Sequence, residues 1–360
     1  MATRTGTDDD TDAQPPLRDA VRVGLCGIGR TGFGRIRSEI AGTRQFKVQA
    51  GFDLLPERAA QLREVFGSTA HDSFEDLLQD PAVELVIIAT RSDTHADLAI
   101  QALRAGKHVV VEKPMATHLA DADAIIAEAA NATGRLFVRH NRRFDPPFVC
   151  AMEAVAAGKL GTLHSVQLRV GEYVRRSDWQ TLKKFGGGQL LNWGPHVIDW
   201  ALQLIGGRAV EQWSNLKLVA AAGDAEDHVK LLLRGPTGAI ADLEISGANA
   251  LKQTPWVLSG DRGAMTIDGP TAHLRYLREQ PDRAKLIASD GTPGQDDKRY
   301  KIDEKSDWVD EEVPAVASKP TNYWNEIYKT LRKGTEFPVK LEQAREVMRV
   351  IQEARKGTAF

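Results

Sequence analysis

From Val21 onward the chain alternates short apolar runs with stretches whose apolar residues recur at helical spacing. VRVGLC (21–26), FKVQAGF (46–52), ELVIIAT (84–90), HVVVE (108–112) and RLFVR (135–139) read as strands. Several are apolar nearly throughout, as parallel strands covered on both faces are. Helices are predicted between them over 30–41, 56–66, 73–79, 94–105 and 118–132. Ser73 and Asp76 in SFED form a capping box, and Gly106 stands where a helix should stop. Such alternation implies a doubly wound parallel sheet with right-handed crossovers, beginning near residue 18 and ending near 140.

After Phe144 the texture changes. One helical stretch (146–157) leads through Gly158 and Gly161 to a long β-like run at 163–174. Further β-like segments follow at 209–221, 228–235, 238–247, 256–269 and 273–279, separated by turn residues. Strands grouped this way imply a large, mainly antiparallel sheet with few helices. Residues 278–318 are charged and rich in Gly and Asp and carry the weakest pattern, and two amphipathic helices are predicted at 321–333 and 341–355. The fold class is therefore α/β. A polar, acidic tail is expected over 1–18, a doubly wound domain over 19–140, and a second domain over 141–360.

Composition narrows the function. Across 360 residues the net charge is −2, which gives nucleic acid or an anionic membrane no global attraction. No apolar run approaches the roughly 20 residues that a membrane helix needs. The N-terminal stretch has no apolar core, so neither a secretory signal nor an anchor is expected. Cys26 and Cys150 supply no disulfide framework, and a cytoplasmic setting is expected.

Gly27-Ile28-Gly29-Arg30-Thr31-Gly32 directly follows the first strand and opens a helix. The first glycine permits the tight turn, the second lets a pyrophosphate reach the backbone, and the third lets helix and strand pack closely. Asp53 ends the next strand, where a carboxylate accepts hydrogen bonds from ribose hydroxyls and repels a 2′-phosphate. NAD is therefore expected over NADP, with Arg58 tempering the preference.

The stretch GGGQLLNWGPHVIDW (186–200) and the segment VEKPMA (111–116) carry the candidate chemistry. Together with GIGRTG they resemble the glucose–fructose oxidoreductase/inositol dehydrogenase (Gfo/Idh/MocA) family, from about Val21 to the last helix. The resemblance implies hydride exchange between a nicotinamide and a hydroxyl-bearing carbon of a sugar or cyclitol. It also implies that 19–140 is a Rossmann dinucleotide-binding domain and 141–360 a substrate-binding and oligomerisation domain, with a homodimer or homotetramer built through its open sheet. By position it makes Lys113 and His196 catalytic, with Asn192 where a family Asp often stands and Asp199 at a second acidic position. Thr90, His95 and Glu112 match residues on the nicotinamide side. Arg91 departs from a common proline, and Asn192, as an amide, orients a hydroxyl but cannot be a base.

The residues themselves admit that chemistry. Alcohol oxidation needs a base for the hydroxyl proton and a cation for the developing alkoxide. Histidine titrates nearest neutrality, and Lys113 stands at a strand's C-terminal end, where such sheets bind ligands. His196 is read as the proton acceptor and Lys113 as the polarising cation, a pair of roles that is reversible because a desolvated lysine is itself a base. Asp199 either supports the histidine or serves a structural partner. Asn192 either contacts substrate or caps a helix. Trp179 and Trp193 offer indole faces to a sugar ring. Arg175, Arg176, Lys183 and Lys184 either hold an anion or form a solvated strand end, and Arg142 and Arg143 fall at the interdomain crossing, with Arg142 a cofactor candidate. Neither HExxH nor a cysteine cluster appears, so no metal is expected. Three rivals share the fold: a redox-neutral NAD-recycling glycosidase or epimerase, a non-catalytic NAD-dependent regulator, and an imine or pyrrole reductase. Pro195 leaves two geometries: one helix bent through Asn192, His196 and Asp199, or a helix beginning near Gly194.

Overall fold

Six parallel strands in the order β3-β2-β1-β4-β5-β6 form the first sheet of the computed structural model, which describes residues 17–279, 307–316 and 321–360. They are β1 (Val21–Cys26), β2 (Phe46–Phe52), β3 (Thr69–Ala70), β4 (Leu85–Ile88), β5 (His108–Val111) and β6 (Leu136–Val138). β4 is buried at every position, as its uninterrupted apolar sequence requires. The crossovers are α1 (Arg37–Ala41), α2 (Pro56–Phe66), α3 (Phe74–Gln79), α4 (His95–Arg104) and α5 (Leu119–Asn131). Their ends follow local chemistry. α2 has Pro56 in its first turn and Gly67 at φ 63° after its last, and the Asp76 N–H donates to Ser73 Oγ at 3.0 Å at the start of α3. The helix predicted over 30–41 is corrected: Arg30–Ile36 is a π-helical turn, and only Arg37–Ala41 is α-helical. β3 escaped the sequence pattern because two residues have no periodicity.

The second sheet has eight strands in the order β14-β13-β12-β11-β7-β10-β9-β8. α6 (Pro146–Ala156) precedes β7 (Leu163–Gly171), and α7 (Gln189–Asn192) and α8 (Gly194–Leu204) follow it. The remaining strands are β8 (Glu211–Lys217), β9 (His228–Arg234), β10 (Ile240–Ser246), β11 (Trp256–Gly260), β12 (Gly263–Asp268), β13 (Thr271–Leu277) and β14 (Trp308–Pro314). β7 and β10 pair in parallel and every other neighbouring pair is antiparallel. α8 packs on β7 and β10 and is buried nearly all round. β14 lies inside the charged segment that gave the weakest pattern. Its exposed Asp310 and Glu312 alternate with half-buried Val309, Glu311 and Val313 on a sheet edge, where charge protects against further pairing.

α9 (Tyr323–Lys333) and α10 (Leu341–Arg355) close the chain. By contacts the described residues divide into two units: 17–140, 184–186 and 321–349, and 141–183, 187–279, 307–316 and 350–360. The sequence reading gave everything beyond 141 to the second domain; α9 instead groups with the first sheet. Phe46 of β2 meets Trp324 and Tyr328 edge-on, with centroids 5.6 and 6.4 Å away, and Tyr328 Oη donates to Asp19 Oδ2 at 2.6 Å. The expected acidic tail lies, through residue 16, outside the described residues, as do 280–306 and 317–320.

Candidate active site

In the first unit the nucleotide-binding candidates follow the carboxyl ends of four neighbouring strands. Gly27–Gly32 come after β1, Asp53 after β2, Thr90 and Arg91 after β4, and Glu112 and Lys113 after β5. β1 lies between β2 and β4, so the chain reverses its direction across the sheet here, the position at which doubly wound sheets bind ligands. The three glycines differ in the space around them. A Cβ on Gly27, at φ 90°, would stand 2.7 Å from the Ala89 backbone, and one on Gly32 would stand 1.9 Å from the Gly27 carbonyl oxygen. A Cβ on Gly29 would meet only the tip of Arg58, at 3.7 Å, so this glycine leaves the backbone open to approach. Ile28 is buried, Thr31 half-buried and Arg30 exposed.

Asp53 also braces the loop. Its Oδ2 accepts from the Ile28 N–H at 2.7 Å and its Oδ1 from the Leu55 N–H at 3.0 Å. A carboxylate offers about four lone-pair sites, so acceptors remain. The Arg58 guanidinium stands 3.8 Å from Asp53 Oδ2. The loop therefore fits a dinucleotide, with an anion and a cation side by side just after β2.

His95 does not present its ring to solvent. It is buried, Nδ1 lies 2.7 Å from the Pro114 carbonyl and Nε2 lies 3.3 Å from that of Thr90, tying the loops after β4 and β5 together. Burial lowers its pKa below the ordinary histidine value, outweighing the two carbonyls, so the ring is neutral at pH 7 and the shorter bond assigns its proton to Nδ1. Thr90 Oγ1 bonds Thr94 Oγ1 at 2.8 Å, and the Arg91 guanidinium lies over the Phe185 ring at 4.1 Å. Lys113 is half-buried and its peptide bond to Pro114 is cis. Glu112 is buried and paired with Arg139 at 2.6 Å. Arg139 was missed as a site residue; its signal was a charge directly after the buried strand LFV.

In the second unit the break at Pro195 is resolved. α7 ends at Asn192, Trp193 bridges, and α8 begins at Gly194 with Pro195 in its first turn. Pro195 has no N–H to continue the helix, so Asn192 belongs to the preceding turn. Glu226, also missed, organises that turn. Leu190 N–H donates to its Oε1 at 2.9 Å and Gln189 N–H to its carbonyl at 3.0 Å. Burial holds its carboxyl above the usual carboxylate range, against the Leu190 bond that draws it down. A Cβ on Gly188, at φ 103°, would collide with that carboxylate at 2.3 Å, so the glycine is required. Asn192 lines a small pocket with Arg176, Gln180, Gly188, Glu226 and Asp227, and its Oδ1 lies 3.5 Å from Gln180 Nε2.

His196 stands in the first turn of α8, 4% exposed, with Trp193 edge-on at 6.0 Å and Trp200 stacked at 6.4 Å. Arg142 lies over the Trp193 ring at 4.5 Å, bonds Asp145 at 2.8 Å, and accepts the Trp200 indole N–H on its carbonyl at 3.0 Å. Arg142 therefore sits with the histidine's aromatic cage in the second unit. Asp199 is gripped by Arg143, Nε to Oδ2 at 2.6 Å and Nη2 to Oδ1 at 2.5 Å. Trp179 is carried by a separate 3-10 turn, Trp179–Thr181. The basic cluster disperses: Arg176 pairs with Asp178, Lys183 Nζ donates to the Ala359 carbonyl, and Lys184 lies over Phe185. Among the described residues no three His, Cys, Asp or Glu side chains gather as a metal would need, and no helix is long and apolar enough to cross a membrane.

A glycine-looped, doubly wound sheet joined to a large open mixed sheet defines an oxidoreductase with a Rossmann dinucleotide-binding domain. Residues 21–140 match the oxidoreductase family with an NAD-binding Rossmann fold, and residues 148–266 match the GFO/IDH/MocA C-terminal domain. The chain belongs to this GFO/IDH/MocA family. It is 27% identical to scyllo-inositol 2-dehydrogenase (NADP(+)) of Bacillus subtilis, over 94% of each chain. It is 30% identical to myo-inositol 2-dehydrogenase of Thermotoga maritima, over 63% of this chain and 68% of the other. Among solved structures, an NAD-binding protein from Listeria innocua matches with a TM-score of 0.79 and 25% identity, covering 94% of this chain and 96% of that one.

Proposed function

We propose that the protein moves a hydride between a nicotinamide and a secondary hydroxyl or keto carbon of a sugar, cyclitol or glycoside, with Lys113 and His196 handling the proton. The observation that carries this reading is the gathering of Gly27–Gly32, Asp53, Thr90, Glu112 and Lys113 at the carboxyl ends of β1, β2, β4 and β5. Names of relatives that act on inositols support the substrate class. A bound nicotinamide supplies the hydride acceptor. His196 takes the hydroxyl proton, the O–H bonding pair becomes the second bond of the new carbonyl, and the Lys113 ammonium stabilises the developing alkoxide. Asn192 orients a hydroxyl, the Trp193 and Trp179 indoles offer faces to the ring, and Asp199 acts through Arg143.

NAD is the cofactor of this reading, through Asp53. Arg58, within 4 Å of that carboxylate, supports NADP as a second cofactor, the one named for the Bacillus relative. The partly exposed face of the second sheet, where Leu232 and Ile240 surface beside the Arg169–Asp242–Lys230 ion pairs, supports a homo-oligomer. Two buried free thiols, Cys26 and Cys150, support a cytoplasmic setting.

The test is turnover of a panel of inositols, sugars and glycosides with NAD or NADP, following reduced cofactor and product together. Lys113→Met and His196→Asn are each expected to lose about 10²–10⁴ in kcat. Full activity in either variant would sink the proton-handling roles. Product without reduced cofactor would move the reading to redox-neutral recycling.

A further inference from the structure

Lys113 follows a glutamate whose two oxygens have separate duties. Glu112 Oε1 accepts from Arg139 Nη1 at 2.6 Å, while Oε2 accepts from the Lys113 backbone N–H at 3.2 Å. Arg139 lies one residue beyond β6 and is 1% exposed. Its Nη2 donates to Glu39 Oε2 at 2.5 Å, and that oxygen also accepts the Trp324 indole N–H at 2.7 Å. One line of hydrogen bonds therefore runs from α9 through α1 and the end of β6 to the backbone after β5.

The chemistry of this line is directional. A guanidinium is a rigid planar fork and cannot lose its proton here: burial pulls its pKa down, but Glu112 and Glu39 together hold it above the ordinary arginine value. A buried ion pair is a weak reason for stability, because desolvation offsets most of its attraction. What the pair fixes is geometry. With Oε1 held, the second oxygen of Glu112 has one orientation, aimed at the Lys113 N–H. The buried His95 ring, which feels both Glu112 and Lys113, bonds the Pro114 carbonyl at 2.7 Å.

We propose that Arg139 is a positioning residue for the hydride-transfer site: it locks Glu112, and Glu112 in turn fixes the Lys113 backbone at the carboxyl edge of β5. The inference rests on the role proposed above for Lys113. Its consequence is that the catalytic lysine's placement depends on Glu39 and Trp324, residues that contact neither substrate nor cofactor in this reading.

The test is Arg139→Gln in the full chain, read by amide hydrogen exchange and by kinetics on whichever panel compound the wild type turns over. A charge-assisted hydrogen bond is involved, so exchange at the Lys113 amide should rise about tenfold while β1 and α10 keep wild-type protection. Turnover should fall about tenfold in kcat with KM and the NAD dissociation constant within about twofold, which a general loosening of the fold would not give. Arg139→Lys should recover part of both losses. Wild-type exchange at Lys113 in folded Arg139→Gln overturns the proposal. Should that variant fail to fold, Glu112→Gln breaks the same pair and leaves Arg139 compensated by Glu39; the same rise in exchange is expected, and its absence is equally fatal. Full activity in Lys113→Met would remove the lysine's role without touching the exchange result, so the two failures read separately.

Discussion

Replacing Asp199 with Asn keeps the side chain's shape and removes its charge. The Asp199 carboxylate meets Arg143 through two bonds of 2.6 and 2.5 Å, with side chains only 2% and 8% exposed. The variant therefore removes the carboxylate that grips a buried guanidinium, a change that costs about 3–5 kcal/mol. Against a typical domain stability of about 5–15 kcal/mol, that is a large fraction. For a unit of this size, about 2–4 °C per kcal/mol converts the loss to a fall of about 6–20 °C in the transition reporting the second unit. Because the chain has two units, calorimetry or hydrogen exchange along α8 must identify that transition before a midpoint is assigned. The double variant Arg143→Met/Asp199→Leu removes both charges and should regain most of the loss. A stability change under about 1 kcal/mol in Asp199→Asn would refute the ion-pair reasoning. Lost turnover at wild-type stability would instead restore Asp199 as the support of His196, the alternative that the sequence admitted.

Two further predictions concern the first unit. Arg58→Ala should lower kcat/KM for NADP by about tenfold and leave NAD within about twofold, since an arginine–phosphate contact is worth about 1.4 kcal/mol or more; equal losses with both cofactors would mean that Arg58 only braces Asp53. His95 is held below its ordinary pKa of 6.5 by burial, so between its folded value and 6.5 the unfolded chain binds more protons, and stability must fall as pH drops through this window. His108, lowered mainly by its own burial, adds to the slope. His95→Gln, which keeps a donor for the Pro114 carbonyl, should flatten the dependence of the urea midpoint on pH below 6.5 without abolishing it; an unchanged slope would show that His95 is not the group titrating.

Strong local signals carried most of the fold. The five longer strands of the first sheet, the cap at Ser73, the turn at Gly106 and α10 at 341–355 all follow from periodicity and punctuation. What periodicity could not reach was short, charged or remote. β3 is two residues long, and β14 is an edge strand whose polar face is its protection. The grouping of α9 with the first sheet depends on Trp324 and Tyr328 finding Phe46 some 280 residues earlier, which no local window contains. The site divides the same way. Glycine spacing and the EKP segment named residues that line up along one sheet edge, whereas Arg139 and Glu39, which hold the backbone after β5, and Glu226, which holds the α7 turn, are distant partners and carry no spacing signal of their own.

The stretch from Gly186 to Trp200 shows how one residue separates two jobs. Had a single helix run through it, Asn192 and His196 would lie one turn apart on a common face and move together. Pro195 prevents this by withholding its N–H, so α7 and α8 are set by different neighbours. α7 hangs on the buried Glu226, whose carboxylate approaches closely enough to demand glycine at 188. α8 is fixed by the Arg143–Asp199 pair and by the packing of Trp200 on Trp256, which hold the ring of His196 between two indoles. The amide and the imidazole thus answer to separate supports. A carboxylate at 192 would share its pocket with the carboxyl groups of Glu226 and Asp227, and like charges in one pocket raise the cost of ionising any of them. Asparagine at this position gives hydrogen-bonding capacity without adding another carboxyl group to the pocket.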